Sequence, residues 1–216
     1  MTPHLLIDLS TKAGPVRDQG KRPTCVAFAL SDLHASVRTA VFVPLSVEYL
    51  FYHACRLASS FNPNKGVTLQ QVLDALQKDG QPEEPAWPYL PQLPVDLTRY
   101  QPPKTNGTIY RKNGSHIQGK VVDKLEKEMK AGRPAMLVFR STLHLILAQS
   151  GLPVIWSATD QLLRPHAVLA ISIGKTKSER FVRIKNSWGD GWADAGCAWL
   201  SEEYINNTFI ALVGMV

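Results

Sequence analysis

The chain has 216 residues, 44% of them hydrophobic and 19% charged, and carries a formal net charge of +6. That is enough to bury one sizeable core without covalent staples, as one domain or one domain of two lobes. No run approaches the roughly 18 consecutive apolar residues of a membrane span, and the start lacks the basic-then-apolar pattern of a secretory signal.

Cys25, Cys55 and Cys197 are too few and too widely spaced for a disulfide framework or a zinc site. The expectation is a protein of a reducing compartment, cytoplasmic in the simplest case, with no membrane, metal or cofactor.

In chain order, "TCVAFALSDLHASVRTA" has Val26, Ala29, Leu30, Leu33 and Val37 at helical spacing. Pro23 and Thr24 precede it, so Thr24 is the expected N-cap and Cys25 falls in the first turn. "LSVEYLFYHACRLASS" reads as a second helix. "TLQQVLDALQKDG" reads as a third, with a capping box in Thr68 and Gln71 and a stop at Gly80. The proline-rich "GQPEEPAWPYLPQLP" forbids regular structure.

"TIYRK" and "SHIQG" then look like short strands, and "VVDKLEKEMKAG" like one amphipathic helix through Val121, Leu125 and Met129. "AMLVF", "HAVLAISIG", "RFVRIKNS", "CAWLS" and "FIALVGMV" read as strands. Helices first and strands second predict an α+β fold of two lobes, with a cleft between them as the natural place for a site.

Much of the positive charge is concentrated between Arg111 and Arg140. Asp123 with Lys127 and Glu126 with Lys130 are spaced as i,i+4 pairs, so this region reads as a solvated helix face. It has neither aromatic interleaving nor a recognisable motif, and no nucleic-acid partner is expected.

Cys25 is either a small apolar residue opening a helix or a nucleophile. Position in a first helical turn favours a thiolate, because unpaired N–H groups and the helix dipole stabilise negative charge there. A nucleophilic thiol also needs an imidazole and a group to orient it. Among six histidines, His34 and His53 fall in helices, with exposed or core-edge positions expected. His166 heads an apolar strand, and His144 in "STLHLILAQ" is its rival. "RFVRIKNSWGDGW" leaves a strand at Asn186, which can accept an imidazole N–H and hold one tautomer, with Trp188 beside it. Alternatively, Asn186 and Gly189 simply make a turn and Trp188 packs in the core.

Taken together, the segments resemble the papain-like cysteine peptidases. The matching pieces are Gln19-Gly20 six residues before Cys25, then "CVAFA", "HAVLAISIG" and "IKNSWGDGW", in that order. His166 follows Cys25 by 141 residues, within the roughly 130–150 expected of that family. Weaker matches are "LSVEYL", "NPNKG" and "PAWPY", so the resemblance spans nearly the whole chain.

It implies the two-lobed fold, with a helical lobe over about 14–105 and an antiparallel β-rich lobe over about 106–216, forming one catalytic domain over 1–216. It implies Cys25 as nucleophile, His166 as base and later acid, and Asn186 as the residue orienting His166. Gln19 would donate to the oxyanion beside the Cys25 N–H, Gly66 would face an extended peptide, and Trp188 would shield His166 and Asn186. The implied activity is peptide-bond hydrolysis through a Cys25 thioester on a peptide or protein substrate. The alternatives are another acyl transfer on the same site (transpeptidation, deamidation, isopeptide cleavage) or a non-catalytic binding module of this fold.

The family's usual Cys-Gly-Ser-Cys-Trp reads here Arg-Pro-Thr-Cys-Val. Arg22 stands where a disulfide cysteine is usual, and Pro23 replaces a glycine lining the cleft, which would reshape the specificity pocket. "LLIDLS" resembles the start of a mature enzyme, so control is expected from a protein regulator in place of a pro-segment, from substrate access, or from other parts of a longer chain, and the sequence does not choose among them. Cys55 and Cys197 read as small buried apolar residues.

Overall fold

The computed structural model describes residues 3–104 and 107–215. The expected lobe boundary at 105–106 lies outside the described residues.

Three helices fill the first half: α1 (Cys25–Arg38), α2 (Val47–Arg56) and α3 (Leu69–Lys78). The Ser46 hydroxyl accepts the Tyr49 N–H to cap α2. The capping box on α3 forms, with Thr68 N donating to Gln71 Oε1 at 2.8 Å and Gln71 N to Thr68 Oγ1 at 3.2 Å. The proline-rich stretch holds a single 3₁₀ turn, Glu84–Ala86.

The second half adds α4 (Val121–Lys130), the four-residue α5 (Leu143–Ile146) and α6 (Glu202–Thr208) to a seven-stranded antiparallel sheet. Its strands are β1 (His4–Asp8), β2 (Ser115–His116), β3 (Ala135–Arg140), β4 (Pro165–Lys175), β5 (Arg180–Lys185), β6 (Cys197–Ser201) and β7 (Phe209–Gly214). The order is β2-β7-β3-β4-β5-β6, and β1 pairs with the far end of β4. Among the described residues no helix is long and apolar enough to cross a membrane.

Side-chain alternation divides the sheet between two cores. Ala167, Leu169 and Ile171 of β4 and Met136 and Val138 of β3 meet Ala29, Leu30 and Leu33 of α1, backed by α2 and α3. Val168 and Ala170 of β4 and Leu137 and Phe139 of β3 turn the other way, onto Val121, Leu125 and Met129 of α4 and Tyr204 and Ile205 of α6. Helix α1 is therefore held between the other helices and the sheet, and each fully buried leucine on it contributes roughly 1.5–3 kcal/mol.

Several expectations are corrected. "TIYRK" forms no strand: Tyr110 exchanges two 2.9 Å backbone bonds with Gln81, and Pro82, lacking an N–H, is unsuited to continue a ladder. "SHIQG" is a strand only at Ser115–His116. Asp123 pairs with Arg180 at 2.7 Å rather than with Lys127, whereas Glu126 and Lys130 do pair at 2.7 Å. His34 and His53 are both buried, on Gln81 and Asp79 respectively.

The three cysteines are free, Cys55 buried and Cys197 partly buried. Arg22, in the place of a usual disulfide partner, is buried and reaches Glu48 through two bonds, Nη1 to Oε2 at 2.6 Å and Nη2 to Oε1 at 2.9 Å. Glu48 is fully buried and also accepts from the Leu90 N–H at 2.9 Å and the Tyr100 hydroxyl. Burial opposes the Arg22 charge, but the Glu48 hydrogen bonds and charge hold its pKa above the usual value. A non-covalent clasp thus joins the loop before α1 to α2 and to the segment after the prolines.

Glu48→Ala, which strands a buried guanidinium, should lower the unfolding free energy by about 3–5 kcal/mol. Dithiothreitol should leave wild-type stability unchanged in the same chemical denaturation experiment.

Candidate active site

Cys25 is the first residue of α1 and is partly exposed. Thr24 occupies the N-cap position, but its hydroxyl caps nothing, contrary to expectation. It bonds the Tyr89 hydroxyl at 2.9 Å instead, which leaves the first-turn amides without a side-chain cap. Burial pushes the Cys25 thiol pKa up; hydrogen bonds from the backbone of Ala167, Val26 and Cys25 pull it the other way. The influence of the Ala167 backbone on the thiol puts Cys25 near the head of β4, where Ala167 follows His166.

His166 is buried, and its Nε2 lies 2.7 Å from Asn186 Oδ1. That Asn186 atom also accepts the Ser187 N–H at 2.8 Å, which identifies it as the oxygen. An oxygen that only accepts requires the proton on Nε2, so Nδ1 carries a free lone pair. Trp188 stacks on the imidazole with ring centroids 4.5 Å apart and 29° between planes, and Trp192 meets Trp188 edge-on at 5.4 Å. Trp192 Nε1 donates to the carbonyls of Leu145 and Ile146. Burial drives the His166 pKa down to about 4, against the Asn186 hydrogen bond, which raises it.

Gln19 is joined to the same loop. Its backbone N donates to the Ser187 carbonyl at 2.8 Å and its Oε1 accepts the Ser187 hydroxyl at 2.7 Å. Nε2 donates to the Arg22 carbonyl at 2.7 Å, which uses one of its two hydrogens. Asp18 and Trp188 form a β-bridge, and Gly189 N donates to the Arg17 carbonyl at 3.2 Å. Gly20 and Gly189 supply the positive φ values, +58° and +76°, that these two tight loops require. Beneath them, Asp32 of α1 pairs with Arg17 at 2.5 Å and with Lys185, the residue before Asn186, at 3.0 Å.

Gly66 lies against Pro23: a Cβ added to it would sit 3.6 Å from the Pro23 carbonyl oxygen. Pro23 is exposed and lines a groove of about 470 Å³ with Lys21, Asn64 and Pro91. His144, the rival histidine, is mostly exposed and bonded to Asp160 at 2.8 Å.

The structure therefore brings together Cys25 and the head of β4, His166 with Asn186 and Trp188, and Gln19 with Ser187. It sets Gly66 beside Pro23. Sequence reasoning missed Ser187 and Tyr89, although both stand inside the motifs "IKNSWGDGW" and "PAWPY". Among the described residues no group of three or more His, Cys, Asp or Glu side chains is placed to hold a metal ion.

The family model for papain family cysteine proteases matches residues 7–212. Pro-cathepsin H of Mus musculus is 26% identical over 188 residues, covering 84% of this chain and 54% of its own length. A peptidase C1-like protein of Acanthamoeba polyphaga mimivirus is 21% identical over 209 residues, covering 90% and 66% respectively. The chain thus spans about half to two thirds of the length of these relatives. Among solved structures, xylellain, a cysteine protease from Xylella fastidiosa, superposes with a TM-score of 0.77 at 23% identity, covering 100% of this chain and 90% of that one. The bromelain protease from Ananas comosus gives 0.75 at 16% identity, covering 100% and 99%. Both share the fold.

Because burial lowers the His166 pKa, removing its cover should raise it. Trp188→Ala is expected to move the His166 titration from about 4 towards the ordinary value near 6.5, as read from imidazole nitrogen shifts by NMR.

Proposed function

Since the chain belongs to the papain family of cysteine proteases, we propose that it hydrolyses peptide bonds through a thioester on Cys25, with His166 and Asn186 completing a catalytic triad. The observation that carries this reading is the tautomer of His166. Asn186 holds the proton on Nε2 and leaves Nδ1 as the base.

The steps follow from that arrangement. Nδ1 of His166 takes the thiol proton as Sγ attacks the substrate carbonyl carbon. The oxyanion is met by the Cys25 N–H and by the second hydrogen of Gln19 Nε2, whose first is held by Arg22. His166 then gives its proton to the leaving amine, and the thioester remains. A water that loses its proton to Nδ1 hydrolyses the thioester and restores the thiol.

Trp188 keeps water from the bond between His166 and Asn186, which strengthens it in a medium of lower dielectric. Gly66 and the groove beside Pro23 receive the extended peptide, with Pro23 narrowing the approach where the family usually has glycine. The three free cysteines and the Arg22–Glu48 pair in place of a disulfide support action in a reducing compartment such as the cytoplasm.

Burial acts against each charge separately, raising the thiol pKa and lowering that of His166. A thiolate and an imidazolium facing each other attract by about 4 kcal/mol at ~4 Å and an effective dielectric of ~20. At ~1.4 kcal/mol per pKa unit, that attraction is comparable with the fall of His166 from 6.5 to about 4. Burial therefore favours a neutral resting pair, and charge separation is supported only when both members ionise together.

Cys25→Ala should abolish peptide cleavage while leaving the fold intact, and a peptide epoxide should label wild-type Cys25; full cleavage by the variant would exclude the mechanism. Gln19→Ala should lower kcat by about 100-fold. The base must be neutral, so kcat/KM should fall as pH drops through about 4, an apparent value belonging to the pair.

A further inference from the structure

Tyr89 comes from the irregular proline-rich segment, yet its hydroxyl lies between two residues of the nucleophile loop. It donates to the Gln19 backbone carbonyl at 2.8 Å and bonds Thr24 Oγ1 at 2.9 Å. A phenol has one hydrogen, and a carbonyl oxygen can only accept. The Tyr89 hydrogen therefore goes to Gln19, and the Thr24 hydroxyl donates to Tyr89. One oxygen thus spans the loop from the residue carrying the side-chain amide to the residue immediately before Cys25.

Tyr89 is itself held from three directions. Its N–H donates to Glu84 Oε1 at 2.9 Å, its ring meets Phe28 of α1 edge-on at 4.7 Å, and the Arg22 guanidinium lies 5.1 Å from the ring centroid. Arg22 is fixed in turn by Glu48, and its carbonyl accepts the Gln19 side-chain amide. Burial raises the Tyr89 pKa, so the phenol stays a donor at neutral pH. The hydrogen bond from Thr24 also explains why a threonine stands at the N-cap position without capping the helix.

We propose that the Tyr89 hydroxyl is a positioning residue for the oxyanion site, holding the Gln19 main chain and Thr24 so that the Gln19 amide and the Cys25 N–H converge on one point. The proposal rests on the peptidase reading above. Tyr89 touches no reacting atom and acts only through Gln19 and the start of α1.

The test compares wild type, Tyr89→Phe, Gln19→Ala and the double variant. Three quantities are read: kcat and KM on a peptide amide, the inhibition constant of a peptide aldehyde, and the rate of Cys25 alkylation by iodoacetamide. Addition of the thiol to the aldehyde forms an S–C bond and sends the carbonyl π pair to oxygen, which takes up the thiol proton. It therefore loads the oxyanion site, whereas alkylation displaces iodide and does not.

Tyr89→Phe should lower kcat and aldehyde affinity by about tenfold, a fraction of the loss expected on deleting an oxyanion donor outright. KM should stay within about twofold, and alkylation and thermal unfolding should be nearly unchanged. In the Gln19→Ala background the same substitution should cost less than about twofold, the non-additivity of two groups acting as a unit.

An unchanged kcat in Tyr89→Phe, an equal loss in both backgrounds, or a parallel loss of alkylation would overturn the proposal while leaving the peptidase reading in place. A wild-type protein that iodoacetamide alkylates at Cys25, but that neither cleaves peptides nor binds the aldehyde, would overturn both.

Discussion

The packing of α1 between the other helices and β4 is the constraint on which the site depends. Leu30 and Leu33 are fully buried in a core shared with α2, α3 and the sheet, so the helix is fixed along both faces. Its N-terminus meets the head of β4, where the Ala167 backbone is near enough to lower the Cys25 thiol pKa against burial. Cys25 opens one packed element and His166 stands at the head of another, so the core sets where each of them lies. The loops supply orientation. Asp32, about two turns inside α1, pairs with both Arg17 and Lys185, linking the approach to Gln19 and the exit to Asn186 to the same helix.

The departures from the usual family sequence make physical sense as a set. A cysteine at position 22 would need a second cysteine within about 7 Å between Cα atoms and an oxidising surrounding to form its bridge. Arg22 performs a similar tethering through Glu48, Leu90 and Tyr100, with no redox requirement. Breaking that pair strands a buried charge, so the clasp is costly to lose even if its net contribution to stability is small. Pro23 is exposed at the groove and packs beside Gly66, so on the peptidase reading its effect would fall on substrate approach.

The candidate site was legible where chemistry demands particular residue types in a particular order. Cys25 at a helix start, His166 at a strand head and Asn186 at a strand exit could each be named because few other residues serve those purposes. The capping box at Thr68 and Gln71 was legible because its partners are three residues apart. Thr24 misled for the complementary reason: its partner, Tyr89, lies 65 residues along the chain, beyond any local signal. Glu48 lay hidden inside a helix as the partner of Arg22. Strand β1 went unread because it is mostly exposed, with Leu5 and Leu6 46% and 44% accessible, so it lacks a clean alternation. The four-residue α5 and seven-residue α6 are too short to show helical periodicity.

The central claim is that Cys25 carries the acyl group. Stopping a reaction with a slowly hydrolysed peptide ester in acid, and weighing the intact protein and its Cys25 peptide by mass spectrometry, tests it directly. The account predicts a single acyl adduct on Cys25 that decays as product appears, with none on Cys55 or Cys197. Product release without any such adduct, or an acyl group found on another residue, would contradict it.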